Sequence, residues 1–161
     1  MFIRPLLPTD IPALAGLMAT TPLWQRYGVT AASATQRLQT GLAEGATIAV
    51  AESNSHPAGF VWYVTRGAFQ RGGYIMLIGV VSEYRKQGVG QALMHHAEAQ
   101  MFTSVPSIFL LVSDFNHSAQ RFYERLDYQQ VGAIPDFVVP GITELIFYKR
   151  QSDYPGSASR A

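Results

Sequence analysis

One stretch, residues 74–93, constrains this chain more than any other. Tyr74 to Val81 is an apolar run of strand length; Arg85, Gly88 and Gly90 follow in a turn; a helical pattern starts at once. A strand that ends in a glycine turn and a helix N-terminus leaves bare backbone N–H groups converging on one place. With the helix dipole behind them, such amides bind phosphate. The stretch predicts an α/β arrangement and a ligand that carries a pyrophosphate.

The rest of the chain bounds that reading. Its 161 residues suit one domain, and a domain of this size buries roughly 70% of its unfolded surface without staples. The expected domain covers residues 1–150, with 151–161 a small, polar, disordered tail. The chain has no cysteine, which excludes a disulfide framework, thiolate metal sites and a cysteine nucleophile; the reading is cytoplasmic. Net charge is +1 and no basic run exceeds two residues, so no nucleic-acid partner is expected. Apolar runs such as Ile75–Val81 and Ile108–Val112 fall far short of the ~20 residues a membrane helix needs. His95 and His96 lack metal-ligand spacing, and no metal is expected.

Periodicity predicts the elements. Strands are expected at Phe2–Leu6, Thr47–Glu52, Ala58–Thr65, Tyr74–Val81, Ser107–Val112, Gln129–Val131 and Ile142–Lys149. Helices are expected from a cap at Thr9 or Asp10, over Ser33–Glu44, after Gly88, and over Ser118–Leu126. Thr20–Val29 reads as a loop, Ser53–Pro57 as a hairpin turn and Gly67–Gly73 as a second turn. This order implies one mixed sheet with helices on both faces. The βα units after residue 74 imply that the strands at 74–81 and 107–112 run parallel.

A G-x-G turn alone is weak, since it also suits any tight strand-to-helix connection. The P-loop pattern is absent, and a Rossmann fingerprint fails because position 93 is Leu. A second segment adds information: Asn116, Ala119, Phe122, Tyr123 and Tyr128 follow the next strand. Together with Arg85-Lys86-Gln87-Gly88-Val89-Gly90, it resembles the GNAT superfamily of acetyl-CoA-dependent N-acetyltransferases, strongly over residues 74–128. One departure is Asp127, where the family favours Gly; a left-handed helix end is expected there.

The resemblance implies a mostly antiparallel sheet of six to seven strands, a splayed parallel central pair and about four helices. It implies acetyl-CoA as cosubstrate, with its pantetheine arm along the backbone of Ile78, Gly79 and Val80. Its pyrophosphate would rest on the amides of Gln87, Gly88, Val89, Gly90 and Gln91, with Arg85 and Lys86 at the rim. Asn116 would bond the arm, and equally suits the cap of the helix that follows; Phe122 would line the groove. Catalysis would be direct attack by an amine, with the Val80 N–H on the developing oxyanion and Tyr123 as the acid for the leaving sulfur. Tyr74 stands where some members carry a glutamate base. Glu83 reads as solvated, nothing selects Asp114 or Asp136, and a water chain is the default base. The acceptor loops hold Trp24, Tyr27 and Asp136, a set that suits a small cationic amine or, equally, ordinary surface packing. The primary expectation is a small-molecule amine acceptor. A protein lysine or N-terminus, and a non-catalytic acyl-CoA-binding module, are the alternatives. A homodimer is compatible with the family.

Overall fold

The computed structural model describes residues 1–151; the expected tail from residue 152 on lies outside them. Contacts gather the chain into two compact units. The first is Met1–Val64 with Ile75–Ala97, and the second is Thr65–Tyr74 with the described residues from Glu98 on.

The first unit starts with β1 (Phe2–Pro5), which pairs antiparallel with β2 (Thr47–Ser53). Three helices intervene: α1 (Ile11–Thr20), α2 (Pro22–Arg26) and α3 (Ala31–Ala43). The second lies inside the segment expected to be a loop. Pro22 breaks a helix interior but suits a first helical position, where its fixed φ is already helical. Thr30 caps α3 by accepting from the Ser33 amide at 3.1 Å. Asp10 precedes α1 but makes no cap bond. Its carboxylate instead takes the Arg4 guanidinium at 2.7 and 2.8 Å and the Leu7 amide at 2.8 Å. Burial raises the Asp10 pKa, but the Arg4 and Leu7 bonds outweigh it, and the carboxyl sits below its ordinary value.

Strand β2 turns into β3 (His56–Ala68) through Asn54 and Ser55, at φ 51° and 62°. Leu14, Leu17, Met18, Trp24 and Leu38 from the helices pack on Ile48, Val50, Phe60 and Trp62 of these strands. Strand β4 (Gly72–Val80) then leads to α4 (Val89–Met101). A Cβ on Gly59 would lie 3.3 Å from Leu93 of α4, while the next residue, Phe60, meets the Trp24 ring. Helices α4 and α2 therefore cover opposite faces.

The second unit holds the rest of the β3–β4 hairpin, the end of α4, β5 (Ser107–Ser113), α5 (His117–Glu124), β6 (Gln129–Pro135) and β7 (Thr143–Arg150). Strands β5 and β6 each pair antiparallel with β7. Strand β4 contributes to both units, and hydrogen-bonded neighbours run β1-β2-β3-β4-β5-β7-β6. The sheet is mostly antiparallel, with β4 and β5, joined through α4, as its parallel pair. Among the described residues five α-helices form, one more than expected.

Candidate active site

The turn after β4 is built as the glycine pattern requires. Gly88 has φ +82° and Lys86 has φ +61°. The first backbone bond of α4 runs from the Ala92 amide to the Gly88 carbonyl at 2.9 Å. The amides of Val89, Gly90 and Gln91 therefore precede the helical ladder, which supplies them no acceptor. Gly90 is the second residue of α4, so its place is helical. Arg85 folds back, its Nε donating to the Val80 carbonyl at 3.2 Å, and Gln87 donates to the Glu83 carbonyl at 2.6 Å.

Strand β4 itself is irregular. Gly73 faces Met101 of α4, yet Gly79, six residues on, faces Leu17 of α1 and Trp24 of α2. Strict alternation would put positions six apart on one face. The pleat therefore slips once between them, and from Met76 to Val80 every residue is half-buried. Such a slip takes a residue out of the ladder and frees its backbone groups, as bulges near functional sites do. Gly79 also has no room for a side chain, since a Cβ there would lie 2.6 Å from the Trp24 ring. Trp24, read from sequence as a wall of the acceptor loops, is a core residue, 8% exposed. Ile78 and Val80 are half-buried beside Gly79, and Tyr27 is half-buried at the end of α2.

In the second unit, Asn116 caps α5. Its side-chain oxygen accepts from the Ala119 amide at 3.2 Å and from the Ser118 hydroxyl at 3.1 Å. The helix ends as the motif predicts: Asp127 has φ +66°, and the Tyr128 amide reaches the Tyr123 carbonyl at 3.1 Å. Tyr123 is buried, with its ring 5.2 Å from Phe122, 6.0 Å from Tyr128 and 6.3 Å from Phe147. Burial pushes its pKa well above the ordinary tyrosine value. Tyr74 is half-buried on β4. Asp136 is exposed, and its carboxylate closes its own loop by accepting from the Gly141 amide at 2.6 Å. Glu83 is a poor base: the Ser82 hydroxyl bonds its carboxylate at 2.7 Å and holds its pKa down.

Sequence reasoning missed one buried cluster. Glu98 of α4 is 6% exposed; Lys149 of β7 donates to it at 2.9 Å and lies 5.5 Å from the Tyr128 ring centroid. The Tyr128 hydroxyl and the second Glu98 oxygen are buried without hydrogen-bond geometry. Burial first, and then the nearby carboxylate, raise the Tyr128 pKa. The readable signal was a charge at position 98 between the apolar helix positions 94, 97 and 101. Among the described residues, no group of three metal-ligating side chains is placed to hold an ion, and no helix is long and apolar enough to cross a membrane.

Comparison with known proteins bears on these residues. The sequence model of the acetyltransferase (GNAT) family matches residues 16–128. N-alpha-acetyltransferase 60 of Danio rerio is 35% identical over 66 residues, which are 38% of this chain and 27% of that protein. The match thus spans about a quarter of the relative's length. A Desulfovibrio desulfuricans crystal structure assigned to the GNAT family superposes with a TM-score of 0.79 at 19% identity, covering 92% of this chain and 98% of that one. An aminoglycoside 6'-N-acetyltransferase complexed with coenzyme A gives 0.76 at 17% identity, covering 93% and 97%. At such identities the two structures speak for the fold.

Proposed function

The chain belongs to the acetyltransferase (GNAT) family, and on that premise we propose that it moves an acetyl group from acetyl-CoA to a primary amine of a small molecule. The observation that carries the reading is the start of α4, where three amides precede the helical ladder beside a left-handed glycine. Acetyl-CoA supplies an activated thioester carbonyl and a sulfur leaving group. The amides of Gln87 to Gln91 hold its diphosphate, with Arg85 and Lys86 adding charge at the rim. The backbone of Ile78, Gly79 and Val80, close to the slipped pleat, lies along the pantetheine arm. The Val80 amide donates to the carbonyl oxygen as negative charge builds there. Asn116 and Phe122 complete the groove.

Tyr123 acts at the sulfur. Between free groups, proton transfer from tyrosine to thiolate is uphill by roughly 2 kcal/mol, and burial raises the Tyr123 pKa further. Full transfer ahead of bond cleavage is therefore unfavourable. The hydroxyl stays neutral and donates a hydrogen bond to the sulfur as the C–N bond forms and the C–S bond breaks; coenzyme A leaves as the thiolate, and the proton of the attacking amine passes to water. Replacing Tyr123 with Phe is expected to cut turnover at least tenfold while acetyl-CoA still binds by calorimetry. Unchanged turnover would remove Tyr123 from the chemistry.

The acceptor is read as a small amine, with Tyr27, Tyr74 and Asp136 as its expected contacts. A second reading, acetylation of a protein N-terminus, draws on the 66-residue match to an N-alpha-acetyltransferase. Thiol release measured over a panel of small amines and amino-terminal peptides tests both. Turnover on small amines supports the first reading, turnover confined to peptides supports the second, and no release with any acceptor sinks both.

A further inference from the structure

The turn between β3 and β4 borders a cavity of about 470 Å³ formed within the second unit. Phe109 of β5 and Tyr148 of β7 form part of its lining. They are register partners, with ring centroids 5.0 Å apart. Phe69, at the tip of the hairpin, stands edge-on to Phe109 at 6.0 Å and 86°. Gly72 keeps this lining open, since a Cβ there would lie 2.8 Å from the Phe109 ring. Two guanidinium groups, Arg66 and Arg71, line the same cavity. Both are exposed, and among the described residues neither side chain has an ion pair or hydrogen bond. Among the described residues, no carboxylate lines the cavity.

The hairpin displays these groups in an unusual way. Phe69 and Gln70 both have positive φ, 53° and 58°, and the Arg71 amide closes the turn on the Ala68 carbonyl at 3.0 Å. This is the mirror-image turn that favours Asn and Gly. A bulky aromatic there is a steric outlier, and here it is 82% exposed. Among the described residues, the ring is exposed in a disfavoured conformation and the two arginines beside it have no ion pair.

We propose that this cavity binds a small aromatic anion: a planar ring carrying one carboxylate or phosphate. The ring rests against Phe69, Phe109 and Tyr148, and the anion lies between Arg66 and Arg71. Guanidinium forks match the oxygens of a carboxylate or phosphate and also stack on flat rings. A cavity of this size lies within the range of small-ligand pockets. The site is separate from Tyr123. Phe109 lies between Ile108 and Leu110 in β5, and Leu110 pairs with Phe147, whose ring meets Tyr123. Alternation along the strand puts Phe109 on the other face.

The test is an amide NMR titration of the full chain with phenyl phosphate and with indole-3-acetate. Phenol and inorganic phosphate serve as the two half-ligands. The expected result is submillimolar binding of at least one probe, with shifts centred on Arg66–Gly72 and Ser107–Phe109, and each half-ligand at least tenfold weaker. Binding of phenyl phosphate alone identifies a phosphate source, and of indole-3-acetate alone a carboxylate source. The exposed double variant Arg66→Gln/Arg71→Gln should lose at least tenfold in affinity. Phe69→Asn, which suits the turn but removes the ring, should do the same. The proposal is overturned if neither probe binds more tightly than inorganic phosphate, or if the variants leave binding unchanged. Neither probe carries an amine or a thioester, so the outcome does not depend on acetyl transfer.

Discussion

At one end of β4 the chain turns through Lys86 and Gly88, at φ 61° and 82°; at the other it turns through Phe69 and Gln70, at 53° and 58°. Both turns carry two cationic side chains: Arg85 and Lys86 at the first, Arg66 and Arg71 at the second. They differ in how the left-handed backbone is obtained. Glycine adopts it without steric cost, whereas other residues spend about 1–2 kcal/mol each. The first turn carries that cost only at Lys86, because Gly88 meets its φ freely, whereas the hairpin turn carries it at both Phe69 and Gln70. The hairpin turn is held by the strands it joins, and its strain shows only in three dimensions. The turn itself is marked in sequence by Gly67 and Gly73, but the left-handed form of Phe69 and Gln70 is not.

The largest expected effect separates the two ends. Gly88→Val places a β-branched residue at φ +82° and should lower acetyl-CoA affinity at least a hundredfold by calorimetry. Binding of phenyl phosphate at the hairpin should stay as it was. Equal loss at both ends would show that the turns are not independent. A smaller effect sharpens the contrast in strain. Phe69→Asn should raise the melting temperature by about 2–4 °C, the shift that 1 kcal/mol produces in a chain of this size; a fall would mean that the phenyl ring's contacts outweigh its backbone cost. The smallest effect is expected at the β2–β3 hairpin, whose turn has the same left-handed form but begins with Asn54. Asn54→Gly should leave the melting temperature within about 1 °C, because asparagine already tolerates that conformation.

What could be read in advance followed local rules. The strands declared themselves by apolar runs, and Asp127 was expected in its left-handed place because the family it resembles favours Gly there. Gly88 and Gly90 are both free to take positive φ, and Gly88 does. Gly90 lies within α4 and shows that an open φ in sequence is a permission, not a requirement. Helix α2 escaped because Pro22 and Gly28 both read as breakers, although one can start a helix and the other follow its end. Trp24 looked like an aromatic on a loop, yet its burial depends on Phe60 and Gly79, which lie far off in sequence. The slip in β4 was illegible for the same reason: register is decided by neighbouring elements, not by the strand alone.

The bond between Lys149 and Glu98 has a consequence for descent. Replacing Lys149 alone strands the Glu98 carboxylate in the interior, at a cost of about 3–5 kcal/mol, a large share of what a domain has to lose, and replacing Glu98 alone leaves Lys149 half-buried without its carboxylate. Apolar side chains of similar volume can fill the space of both at little cost. Lineages from this chain must therefore keep the two or exchange them together, and a residue on α4 and another on β7, 51 positions apart, are inherited as a single character.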